Sequence, residues 1–120
     1  MIISLERNLE ENIQEGIKTL EYHLRPQNYP IVNKMIKLQI ETLQWVLDKK
    51  NKNSLESLQE IVKFKVERLE YILKISRDIE KSNTIVYQLE VLECCKLMIN
   101  WNIQRMTKTT KKEDGISAVC

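Results

Sequence analysis

The sequence predicts an all-α fold, a four-helix up-down-up-down antiparallel bundle with long helices. Three observations carry that prediction. Apolar residues recur at steps of three and four through most of the chain, the spacing of one helical face. With 2 Gly and 2 Pro, the chain lacks the turn residues that a sheet needs at every reversal. The breaks lie far enough apart for helices of roughly 20 residues, and turns of about five residues favour antiparallel neighbours. A length of 120 residues suits one domain with a modest core. Residues 1–107 are expected to form that helical bundle. From Thr107 onward Lys, Thr and Glu dominate and the periodicity stops, so 108–120 is expected to be a flexible C-terminal tail.

The first helix is expected to begin near Ser4 as N-cap. Ile2, Leu5, Leu9, Ile13, Ile17, Leu20 and Leu24 share one face. Glu6, Glu10, Glu11 and Glu15 crowd its early turns, where the helix dipole favours negative charge. Gly16 lies inside this helix at a cost of about 1 kcal/mol relative to alanine. Close approach by a neighbouring helix and simple tolerance both account for it. Pro26 and Pro30 bracket the strongest break, and Pro30 sits where a first helical turn accepts proline. The second helix is read from Ile31 to Lys49, with a polar turn over 49–53. Ser54 is a good N-cap for the third, whose stripe is Leu55, Leu58, Val62, Val66, Leu69 and Leu73. Ile61, Phe64, Tyr71, Ile72, Ile75 and Ile79 are expected to broaden that stripe. A turn is expected over Lys81-Ser82-Asn83-Thr84, followed by a fourth helix with Ile85, Val86, Leu89, Leu92, Ile99, Ile103 and Met106.

A bundle helix needs one apolar stripe and shows water the rest. The first helix obeys this, but the others carry more. The second adds Ile31, Leu38 and Trp45, and the fourth adds Val91, Cys94, Cys95, Met98 and Trp101. The expected reading is that Trp45, Val91, Cys95, Met98 and Trp101 meet another chain, with a homodimer as the commonest arrangement. The other reading is that they lie on the flanks of a broad core.

Two Glu-x-x-Glu pairs stand out, Glu67 with Glu70 and Glu90 with Glu93. Each pair lies on one helical face, and opposed pairs can hold Mg²⁺ through hard oxygen ligands. This layout resembles that of the all-α nucleotide pyrophosphohydrolases, with Glu93 where that family carries Asp. The resemblance implies a Mg²⁺-dependent nucleotide hydrolase and covers only these four positions. The competing reading is solvated carboxylates paired with Lys63, Arg68, Lys74 or Lys96. His23 has no Glu-x-x-His partner and suits the last turn of the first helix, where the dipole favours positive charge. Cys94 and Cys95 read as small apolar residues, and free thiols argue for a reducing cytoplasm.

Net charge is only +2, but its distribution is uneven. Residues 1–24 are acidic, whereas Arg25, Lys34, Lys37, Lys49, Lys50 and Lys52 could form a basic strip along the second helix. Lys108, Lys111 and Lys112 would extend it for phosphate contact. The acidic first helix is an equally natural complement to that strip. The most apolar stretch, Ile85 to Met106, is interrupted by Glu90, Glu93, Lys96 and Arg105, so no membrane span is expected. The opening residues have no basic leader followed by an apolar run, so no signal peptide is expected either.

The expected function is that of a non-enzymatic protein–protein interaction or regulatory protein that homodimerises through apolar helix faces. The first alternative is nucleic-acid binding through the basic strip, and the second is the Mg²⁺-dependent hydrolase. No cofactor or small-molecule substrate is expected. The bias to Ile, Lys, Glu and Asn in a short chain is common in AT-rich viral and mobile genomes, which suggests a regulator or inhibitor of host machinery in the host cytoplasm.

Overall fold

The computed structural model describes residues 8–113, with side chains described for 8–106. The fold is an all-α four-helix bundle: α1 spans Leu9–His23, α2 Pro30–Lys52, α3 Leu55–Ile75 and α4 Ile79–Glu113. Each boundary has a local chemical cause. α1 opens at Leu9 rather than near Ser4, because Asn8 is extended and its Oδ1 accepts the Glu11 N–H at 2.8 Å. Ser4 itself lies outside the described residues. Asn28 and Asn33 stitch the α1–α2 link. Asn28 Nδ2 donates to the His23 carbonyl at 2.8 Å, and Asn33 Nδ2 donates to the Arg25 carbonyl at 2.9 Å. Pro30 takes the first helical position as its missing N–H allows. α2 continues past Lys49 to Lys52, where Asn53 Nδ2 closes the end on the Lys49 carbonyl at 2.8 Å. Ser54 caps α3 by accepting the Ser57 N–H at 3.2 Å.

The break between α3 and α4 falls at 76–78, not at the expected 81–84. Asp78 Oδ1 accepts the N–H groups of Glu80 and Lys81 at 3.0 and 3.3 Å, the geometry of a helix start. Further on, the Thr84 hydroxyl donates to the Glu80 carbonyl at 3.1 Å and so fits inside the helix. α4 then stays helical to Glu113, through the first part of the expected tail; 114–120 lie outside the described residues.

α1 packs mainly on α2, and α4 packs broadly on both α2 and α3, while α2 and α3 touch only slightly. An ion pair from Lys50 to Glu10 at 3.2 Å sets the end of α2 beside the start of α1. Another from Lys34 to Glu80 at 2.8 Å sets the starts of α2 and α4 together. The core is drawn from all four helices and includes Leu9, Ile13, Leu43, Val46, Leu58, Val62, Leu92 and Ile99. Gly16 lies on the buried face of α1.

This arrangement corrects the expected second face of α4. Val91, Cys95 and Met98 are buried in the protomer's own core, so they are not surface for a partner. The reason is the number of neighbours: a helix packed against two others buries two faces. Trp45 and Trp101 are half-buried. Of the expected broadening of the α3 stripe, Ile72 packs against the core and Ile61 is half-buried, but the other four residues are corrected. Phe64, Tyr71 and Ile75 are 67%, 64% and 60% exposed, and Ile79 opens α4 in solvent. Among the described residues, no helix is long and apolar enough to cross a membrane.

Candidate functional site

Because α2 and α3 barely touch, a seam opens between them over α4. Trp45 on α2 stands in that seam, its inner side packed on the core. The Lys49 ammonium, one turn further along α2, lies 5.9 Å from the Trp45 ring centroid. Lys65 reaches the same ring from α3 at 5.6 Å. Each contact is worth about 0.5–1 kcal/mol at an exposed site. The ring therefore holds two cations in place at the surface. A depression of about 540 Å³ extends outward from Trp45, lined by Lys49, Glu60, Ile61, Phe64, Lys65 and Arg68. A smaller cleft of about 200 Å³ runs inward past Thr42 and Lys65 to Leu69, Gln88 and Leu92.

Three cations, Lys49, Lys65 and Arg68, line this depression together with one carboxylate, Glu60. Lys34, Lys50, Lys52 and Lys96 each pair with a carboxylate of their own chain. Among the described residues, none of Lys49, Lys65 and Arg68 has such an ion pair. Phe64, Arg68, Tyr71 and Ile75 line up on one side of α3. That stripe lies roughly 140° around the helix from the buried stripe of Leu58, Val62, Val66 and Leu69, at about 100° per residue. The outer face of α3 thus offers aromatic and aliphatic surface with uncompensated cations at one edge.

The residues singled out in the sequence are dispersed. Of the expected interface set, Trp45 is at the centre of the depression, Val91, Cys95 and Met98 are interior, and Trp101 is half-buried on α4. The basic strip does not form a continuous track. Arg25 sits 5.1 Å over the Tyr22 ring, Lys34, Lys50 and Lys52 are ion-paired, and Lys37 lines a separate groove with Lys34. The Glu10–Lys50 pair is a direct case of the acidic first helix complementing the basic second one.

Glu67, Glu70 and Glu93 do face one groove, of about 670 Å³ between α3 and α4, but Lys63 and Lys96 line it too and Glu90 does not. Glu93 pairs with Lys96 at 3.6 Å. Among the described residues, no group of three or more His, Cys, Asp or Glu is placed to hold a metal ion. Cys95 is pushed up to about 12 by burial and by its neighbour Cys94, so at neutral pH it is a thiol and a poor nucleophile. His23 is exposed at the end of α1 beside Tyr22.

Lys65, Arg68 and Phe64 are the site residues that the sequence did not single out. The signal was present, since α3 carries two apolar stripes and only one can face α4. Comparison with protein-family models, with curated proteins and with solved structures finds no match to this chain.

Proposed function

We propose that this protein is a non-enzymatic interaction module that receives an amphipathic helix of a partner protein along the outer face of α3 and the adjoining end of α2. The observation that carries this reading is the half-buried Trp45 flanked by Lys49 and Lys65, with Arg68 and the exposed Phe64 beside it. Aromatic residues and Arg supply most of the energy at protein contacts, and they do so where a partner excludes water. A helix docked in such a seam presents apolar residues at steps of three and four. Acidic residues bordering them would meet cations that have no carboxylate of their own. Free thiols at Cys94 and Cys95 fit a reducing cytoplasmic setting.

The same cations favour one second reading. A single-stranded nucleic acid would place phosphates on Lys49, Lys65 and Arg68 and stack a base on Phe64. One titration separates the two. The probes are a labelled helical peptide of Leu and Glu at four-residue spacing and a labelled oligonucleotide, each at about 50 and about 500 mM salt. The expected result is peptide binding that survives high salt and is lost in Arg68→Glu. Oligonucleotide binding that collapses with salt, without peptide binding, would transfer the site to nucleic acid. Binding of neither probe rejects the reading.

A further inference from the structure

We infer that the partner helix continues past the Trp45 depression along α2 to the α1–α2 link. It runs parallel to α2, with its acidic C-terminal end on Lys49, Lys65 and Arg68. This rests on the reading that the depression takes a helix, and it gives that helix a direction and a second contact. A groove of about 620 Å³ lies between the N-terminal parts of α2 and α4, with Pro26 and Asn28 of the link at its end. Ile31, Met35 and Leu38 line it from α2, and Asn83, Thr84 and Tyr87 from α4. Ile31 is 59% exposed, and Met35, Leu38 and Tyr87 are half-buried.

Two patterns join this groove to the depression. On α2, Ile31, Leu38 and Trp45 recur at seven-residue steps, so at about 100° per residue each lies within about 20° of the last. On α4, Glu80, Thr84, Gln88 and Leu92 recur every four residues, the first two in the groove and the last two in the small cleft beside Trp45. Glu41 borders both groove and cleft, and Trp45 and Lys65 border both cleft and depression. The path from Ile31 to Lys49 is about 27 Å long, which roughly five turns of a second helix cover.

Charge changes along this path and sets the direction. In the groove Lys34 and Lys37 are balanced by Glu41 and Glu80, whereas the depression sets its cations against Glu60 alone. An occupant that fits both is uncharged beside the groove and acidic beside the depression. The C-terminal end of a helix carries the negative end of its dipole, so that end belongs with the carboxylates on the cations. Glu41 and Glu80 also weigh against a nucleic acid on the same path, because its phosphates are charged throughout.

Fluorescence anisotropy on the full chain tests this with three labelled peptides. One is the Leu–Glu helix alone; the others add an uncharged stretch of Leu and Gln before or after it. That stretch has about fourteen residues, matching the separation of Ile31 from Trp45 on α2. Extension before the helix is expected to tighten binding at least about tenfold, and extension after it to change binding less than about threefold. Ile31→Glu on one wall and Asn83→Arg on the other, both at exposed positions, should each abolish the gain and leave the short peptide's affinity unchanged. Equal affinity for the three peptides overturns the inference, as does a larger gain from extension after the helix. A gain indifferent to both groove variants overturns it equally. The short peptide then separates these failures from a deeper one. If it binds and Arg68→Glu abolishes that binding, only the continuation along α2 is lost; if it does not bind, the helix-receiving depression is lost as well.

Discussion

α3 and α4 both carry more apolar surface than one stripe requires, and they dispose of it in opposite ways. On α4 the second stripe of Val91, Cys95 and Met98 is buried, because α2 and α3 pack against this helix from different sides, while Leu97 and Met106 stay exposed. On α3 the surplus is Phe64, Tyr71 and Ile75, all exposed, because α3 has one extensive neighbour. Surplus apolar residues therefore report a contact only once the number of neighbours is known. A helix at the centre of a bundle buries a second stripe, and one at the edge displays it.

The contrast can be broken by measurement. Leu92→Ala on α4 should cost about 2–5 kcal/mol in denaturant unfolding, the loss for a core leucine that leaves a cavity. A loss below about 1 kcal/mol would show that α4 is not enclosed on both sides.

Alkaline titration sharpens the same point at Cys95. The folded thiol is held near 12 and the ordinary value is 9.0, so above pH 9 the unfolded chain releases a proton that the folded chain keeps. Stability from this group is full below pH 9 and is lost as pH rises toward 12, by up to about 1.4 kcal/mol per pH unit. Cys95→Ala should unfold with a flatter alkaline profile; equal slopes for the two proteins would place Cys95 in water.

Asp78→Ala, at the junction of the two helices, should cost about 1 kcal/mol through loss of the cap, and the thermal midpoint reads it. The smallest effect belongs to the edge helix. Phe64→Ala, studied at a concentration where the chain is a monomer, should change stability by no more than about 0.5 kcal/mol. A larger loss would mean that α3 hides its outer stripe after all.

Local chemistry made much of the fold legible. Ser54 and Pro30 act at helix starts as their side chains dictate, and the core stripes of α1 and α3 follow from spacing alone. The α3–α4 junction was not legible, because Ser82, Asn83 and Thr84 look like better breakers than Ser76 and Asp78. A helix tolerates such residues when a hydroxyl can return to a carbonyl one turn back, as Thr84 does. Of the candidate site, Trp45 and Lys49 were visible as an unplaced tryptophan and a basic residue one turn away. Lys65 and Arg68 were not, since their meeting with Trp45 depends on how far α2 and α3 stand apart. That distance is a property of the packed bundle and leaves no mark on either helix alone.

The ring of Trp45 also makes the protein its own indicator. An indole with two ammonium groups close to its ring fluoresces in their electric field, so any occupant that neutralises Lys49 or Lys65 alters that field at the chromophore. With Trp101→Phe silencing the other tryptophan, the colour and intensity of the remaining emission follow occupancy of the α2–α3 seam in real time, with no dye attached.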